Sequence, residues 1–74
     1  MITSHFEELR QKKARVENRK LPVRMIATET GLAPGTIQRL KNGSIERVYC
    51  KTLDTLCCYF GVSSINELIE YTPD

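Results

Sequence analysis

Residues 23–43, VRMIATETGLAPGTIQRLKNG, leave the backbone few choices. Val23, Ile26, Ala27 and Thr30 recur at i, i+3, i+4 and i+7, so a helix over about 23–30 would carry them on one face. Gly31 then stops it, because a helix commonly ends on a residue with positive φ and glycine takes that conformation at little cost. Leu32 returns to the core, and Pro34 suits the first position of a second helix, where a missing N–H costs nothing. In that helix, about 34–41, Ile37 and Leu40 point one way. At 100° per residue Gly35, Gln38, Arg39 and Asn42 point the other. Ala27, four residues before Gly31, is small enough to let the two helices approach closely.

Two short helices braced in this way, the second with a short, polar, cationic outer face, form a helix-turn-helix. That layout can set its second helix in a DNA major groove. Charge agrees. The net charge is only +2, yet all eleven Lys and Arg lie between Arg10 and Lys51, where the only acids are Glu17, Glu29 and Glu46. The other six acids lie in the two ends: Glu7, Glu8, Asp54, Glu67, Glu70 and Asp74. Alone, this pattern also describes a solvated mixed-charge surface. Joined to the two-helix unit, it reads as a phosphate-binding surface.

Several functions are disfavoured. A chain of 74 residues reads as a single domain, 1–74, burying roughly 60% of its unfolded surface and leaving little room for an active-site cleft. No apolar run reaches the ~20 residues of a membrane span. The start, MITSHFEEL, lacks the basic and apolar regions of a signal peptide, so a cytoplasmic setting is expected. Cys50, Cys57 and Cys58 contain no CxxC pair, and an odd count makes a poor disulfide framework. With His5 as the sole histidine no metal set is expected; Cys57 reads as a small core residue and Cys58 as near the surface. No catalytic constellation and no cofactor site is found, since Gly31-x-x-x-Gly35 is a turn and a helix start, not a phosphate loop.

Elsewhere, Ser4-x-x-Glu7 reads as a capping box opening a helix over about 5–18, with Phe6, Leu9 and Val16 as a thin apolar stripe that Lys13 interrupts. Leu21-Pro22 ends it. Ser44–Tyr49 is a loop carrying Arg47. Leu53, Leu56, Cys57 and Phe60 mark a helix over about 51–60, capped by Gly61. Ser64-x-x-Glu67 is a second capping box, predicting a fifth helix over about 65–71. No period-two alternation appears, so no strand is expected. The predicted class is all-α, with five helices around a central helix-turn-helix.

IAxxxGL at Ile26–Leu32, TIxxLxNG at Thr36–Gly43 and LxxLCxYFGV at Leu53–Val62 resemble three blocks of the lambda-repressor-like, or Cro/XRE, family of transcriptional regulators. The ending NELIEY, residues 66–71, is similar to the close of compact members. The resemblance covers about 15–71. It implies a compact five-helix fold, sequence-specific binding of double-stranded DNA, a repressor-type regulator and a homodimer. By position Pro34, Gly35, Gln38 and Arg39 fall where the family presents base-reading side chains. Pro34 and Gly35 have no side chain able to read a base edge, so Arg39, Gln38 and Thr36 carry readout. The resulting base-facing set is Gly35, Thr36, Gln38 and Arg39; the phosphate-facing set is Arg24, Pro34, Lys41, Asn42 and Arg47. Arg15, Arg19 and Lys20 are further phosphate candidates from the basic first helix. Ile69 and Tyr71 are expected at the dimer surface. The alternative is a protein-interaction module or antitoxin-like adaptor on the same fold, binding nucleic acid weakly and without sequence preference.

Overall fold

The computed structural model describes residues 1–43 and 47–73. The order is β1 (Ile2–Ser4), α1 (Phe6–Val16), α2 (Val23–Thr30), α3 (Pro34–Asn42), α4 (Cys50–Phe60), a single 3-10 turn (Ile65–Glu67) and β2 (Ile69–Tyr71). The fold is all-α in class, four helices with a short terminal ribbon.

α2 ends where its sequence says. Gly31 sits at φ +76° and its N–H donates to the Ala27 carbonyl at 2.8 Å. Thr30, on the same turn, returns its hydroxyl to the Ile26 carbonyl at 2.7 Å. Ala33 precedes α3 in extended conformation, and Pro34 occupies its first turn. Ile26, Ala27, Ile37 and Leu40 are buried together, which fixes the α2–α3 pair. Phe6, Leu21, Leu53, Leu56 and Leu68 complete that core, and Phe60 meets Phe6 edge-on at 5.5 Å.

α1 stops at Val16, two residues before the expected end. Asn18 adopts φ +51°, the Asn18 N–H donates to the Arg15 carbonyl, and the Arg19 N–H donates to the Ala14 carbonyl at 3.0 Å. This is a Schellman closure with asparagine in the left-handed position. The apolar stripe also differs from expectation. Val16 is 77% exposed, whereas Lys13 lies on the packed side with its ammonium 4.5 Å over the Tyr59 ring. Lys13 therefore continues the stripe through its aliphatic stem rather than breaking it.

Both ends of the chain depart from the helical expectation. Ser4 belongs to β1; its hydroxyl accepts from the Phe6 N–H, while Glu7 turns to Arg10, so no capping box forms there. At the other end the Ser64–Glu67 box does form, but it supports only one 3-10 turn. The chain then extends, and the predicted fifth helix is replaced by β2, antiparallel to β1, with Ile2 opposite Tyr71 and Ser4 opposite Ile69. The His5 N–H donates to the Leu68 carbonyl at 2.7 Å at one end of the ribbon, and the Thr72 N–H donates to the Met1 carbonyl at 2.8 Å at the other. A helix over 65–71 would leave its last four carbonyls, and residues 2–4, without backbone partners. Pairing satisfies both segments and still buries Leu68 completely.

The ribbon is braced by His5. Its Nε2 lies 2.9 Å from Glu70 and its Nδ1 3.6 Å from Glu8. The Glu70 hydrogen bond holds the imidazole above its ordinary value, Glu8 adds to this, and burial opposes it. A raised value favours the imidazolium in the folded chain. The stabilisation is therefore complete below 6.5, the ordinary value, and is lost as pH rises through the raised one. The stability difference between wild type and His5→Gln in urea titrations is expected to be largest near about pH 5.5, to shrink toward about pH 8.5, and to stay below about 1 kcal/mol. Leu68→Ala should cost about 2–5 kcal/mol in the same assay, although sequence pattern puts it in a short terminal helix. A cost under about 1 kcal/mol would mean the ribbon end is not integral to the core.

Candidate nucleic-acid interface

α3 divides cleanly. Ile37 and Leu40 are enclosed, while Pro34, Gly35, Gln38, Arg39, Lys41 and Asn42 are all exposed and Thr36 is half-buried. The outward row is polar and cationic. Gln38 donates from Nε2 to Asn42 Oδ1 at 3.3 Å, one turn along the same face. Thr36, Arg39 and Leu40 of α3 line a cleft of about 200 Å³ with Arg47, Val48 and Tyr49 of the following segment. The structure thus brings Arg39 and Arg47 to one cleft, although the sequence-based sets divide them between bases and phosphates. Arg24 is exposed in the first turn of α2. Residues 44–46 of the predicted loop lie outside the described residues.

Tyr49 is absent from the sequence-based sets yet lines the same cleft. It is 73% exposed and stands beside Arg47 on the cleft wall. The available signal was an aromatic residue two positions after a loop arginine, in a segment with no helical periodicity to explain it.

The basic residues are not equivalent. Arg10 is held by Glu7 and donates from Nη1 to the Leu21 carbonyl at 3.1 Å. Its guanidinium is the main reason the Glu7 carboxyl lies below its ordinary value, with a smaller contribution from Lys41. Lys13 meets Glu17 at 2.6 Å. Arg19 is the most committed. Its two terminal nitrogens reach both oxygens of Glu29 at 2.7 and 2.9 Å, and Nε donates to Glu17 at 2.7 Å. Tyr59 donates its hydroxyl to the same Glu29 carboxylate at 2.5 Å. Arg19, then Tyr59, holds Glu29 down to about 2, and burial followed by Glu29 pushes Tyr59 up to about 12. This network ties α1, α2 and α4 together and occupies Arg19. Arg15, Lys20, Arg24, Arg39 and Arg47 form no salt bridge among the described residues, and Lys41 acts on Glu7 only at longer range.

The profile of the Cro/C1-type HTH DNA-binding domain matches residues 7–74. The chain belongs to that family. Its helix-turn-helix is therefore a DNA-binding element of a Cro/C1-type domain, and the partner is DNA. No match was found among curated proteins or among solved structures. No helix among the described residues is long and apolar enough to cross a membrane, and no group of three His, Cys, Asp or Glu residues there could hold a metal ion. All three cysteines are free; Cys57 is half-buried against the core and burial pushes its thiol up.

The Glu29 network gives this Cro/C1-type domain an acid limit. A depressed carboxylate contributes stability above its ordinary value of 4.5 and loses it as pH falls toward about 2. Thermal unfolding followed by circular dichroism should show the midpoint falling over that window in wild type. In Glu29→Gln the fall should be shallower, with a lower midpoint at neutral pH. Parallel curves would mean that Glu29 is not the group responsible.

Proposed function

We propose that this chain is a sequence-specific regulator of transcription, acting as a repressor-type homodimer on double-stranded DNA, with α3 lying in the major groove. The observation that carries the reading is the division of α3. Its apolar face is locked into the core, and its opposite face exposes Pro34, Gly35, Gln38, Arg39, Lys41 and Asn42, with Thr36 half-buried. A rigidly held polar helix face of this size suits a groove wide enough to admit a helix. In this reading Gly35, Thr36, Gln38 and Arg39 face base edges. Gly35 contributes close backbone approach and Arg39 the bidentate donor set that matches guanine. Arg24, Pro34, Lys41, Asn42 and Arg47 face phosphates, with Tyr49 added beside Arg47. Arg39 sits where it can reach either a base edge or, with Arg47, the backbone. Residues 1–74 act as one domain, and the three free thiols suit the reducing cytoplasm.

The dimer contact is proposed at the terminal ribbon, where Ile69 and Tyr71 belong to β2. Tyr71 is 66% exposed and available, while Ile69 is half-buried against its own core. Sedimentation of wild type and Tyr71→Glu tests it: the variant should shift toward monomer. A wild type that stays monomeric at working concentration removes the claim.

Selection from a random duplex library at two salt concentrations tests the function. An enriched two-fold symmetric motif is expected. Against that motif Arg39→Ala should lose about 1–3 kcal/mol of discrimination at one position. Lys41→Ala should weaken every sequence alike and lower the salt slope by about one. Equal, parallel losses would reassign Arg39 to the backbone. Salt-sensitive retention with no motif would favour a protein-interaction module instead.

A further inference from the structure

The second half of α1 and the connection to α2 line an open groove of about 560 Å³, whose rim includes Arg15, Arg19 and Lys20, the phosphate candidates offered by the first helix. Exposed Pro22 and half-buried Ala14 form its apolar base above Leu21, which is enclosed in the core, and its basic rim is Arg10, Arg15, Arg19 and Lys20. No acidic residue lines it. Its walls are fixed. Arg10 is tied to Glu7 and to the Leu21 carbonyl, and Arg19 to Glu17 and Glu29. Their charges are already answered from outside the groove. Arg15 and Lys20 are not, so the rim carries two uncompensated cations above an apolar base.

That combination selects among anionic occupants. A phosphodiester strand gains from the cations and nothing from the apolar base. A peptide that sets an apolar side chain on the base and carboxylates on the rim gains from both. We propose that this groove docks an acidic amphipathic segment of a partner protein, with an aliphatic side chain against Ala14 and Pro22 and flanking carboxylates on Arg15 and Lys20. Because Arg10 and Arg19 are held before anything binds, little ordering remains for the groove itself. The inference does not depend on how α3 meets DNA.

The test uses the full chain and two fluorescent probes. One is a synthetic peptide of about twelve residues with leucine and glutamate at i, i+4 spacing; the other is a DNA duplex of about 20 base pairs. Arg15→Glu/Lys20→Glu is compared with Lys12→Glu/Lys51→Glu, which changes charge equally outside the groove; all four positions are exposed, and circular dichroism checks folding. Peptide affinity should fall about tenfold or more in the groove variant and about twofold or less in the control. Replacing the peptide leucines by serine should abolish binding to wild type. Duplex affinity should fall by the same factor in both variants. The proposal is overturned if wild type does not bind the peptide, if the two variants lose it equally, or if the serine peptide binds as well. A selective loss of duplex affinity in the groove variant also overturns it, because the groove would then be a phosphate contact. Failure of wild type itself to bind the duplex bears only on the DNA reading, since the peptide arm is read separately.

Discussion

Ile37 and Leu40 have almost no access to solvent, and they belong to a helix of nine residues. So short a helix has no stability of its own in water. α3 exists because those two side chains are held against Ile26 and Ala27, and Gly31 is what lets them meet. With a left-handed residue at that point the chain reverses quickly enough for α2 and α3 to share one core. The polar row on α3 follows from the same constraint. Once 100° per residue and two buried positions are set, Gln38, Arg39 and Asn42 have nowhere to go but outward.

Charge adds a second layer of organisation, and it works by subtraction. The chain carries a basic middle, yet the surface that meets a partner is defined by which cations remain after internal pairing. Arg10 and Lys13 pair locally with Glu7 and Glu17 and reach outward to the Leu21 carbonyl and the Tyr59 ring, while Arg19 joins Glu17 to Glu29. Arg19 is the sharpest case, since it joins the α1–α2 connection to Glu29 of α2, and Tyr59 of α4 closes on the same carboxylate. Such partly exposed pairs add modestly to stability. Their larger consequence is positional, because they separate structural cations from those free to meet phosphate or a carboxylate partner.

The terminal ribbon closes the molecule. Two strands of three residues would not persist alone in water. Here they hold because Phe6 and Leu68, next to the paired residues, are buried in the common core and because His5 bridges to Glu70 and Glu8. The ribbon therefore depends on the helical core, and in return its two strands pair with each other at the end of that core.

The sequence by itself determined α2, α3 and α4 and the outward face of α3. Their signals are local: apolar spacing over one or two turns, a proline at a first position, and Gly31, Gly43 and Gly61 at the stops, all found at positive φ. The glycine and asparagine signals differ in strength, which is why the sequence reading ran α1 to about 18, two residues past its end at Val16, while the three glycine stops were legible. Only the tertiary structure decided the fate of residues 65–71 and the roles of the basic side chains. A capping box reports on one turn, but whether the chain then coils or extends depends on residues 2–4, more than 60 positions away. Likewise an arginine beside a proline-led helix looks free in sequence. Whether it is free depends on a glutamate ten residues on and a tyrosine on another helix, brought to it by packing.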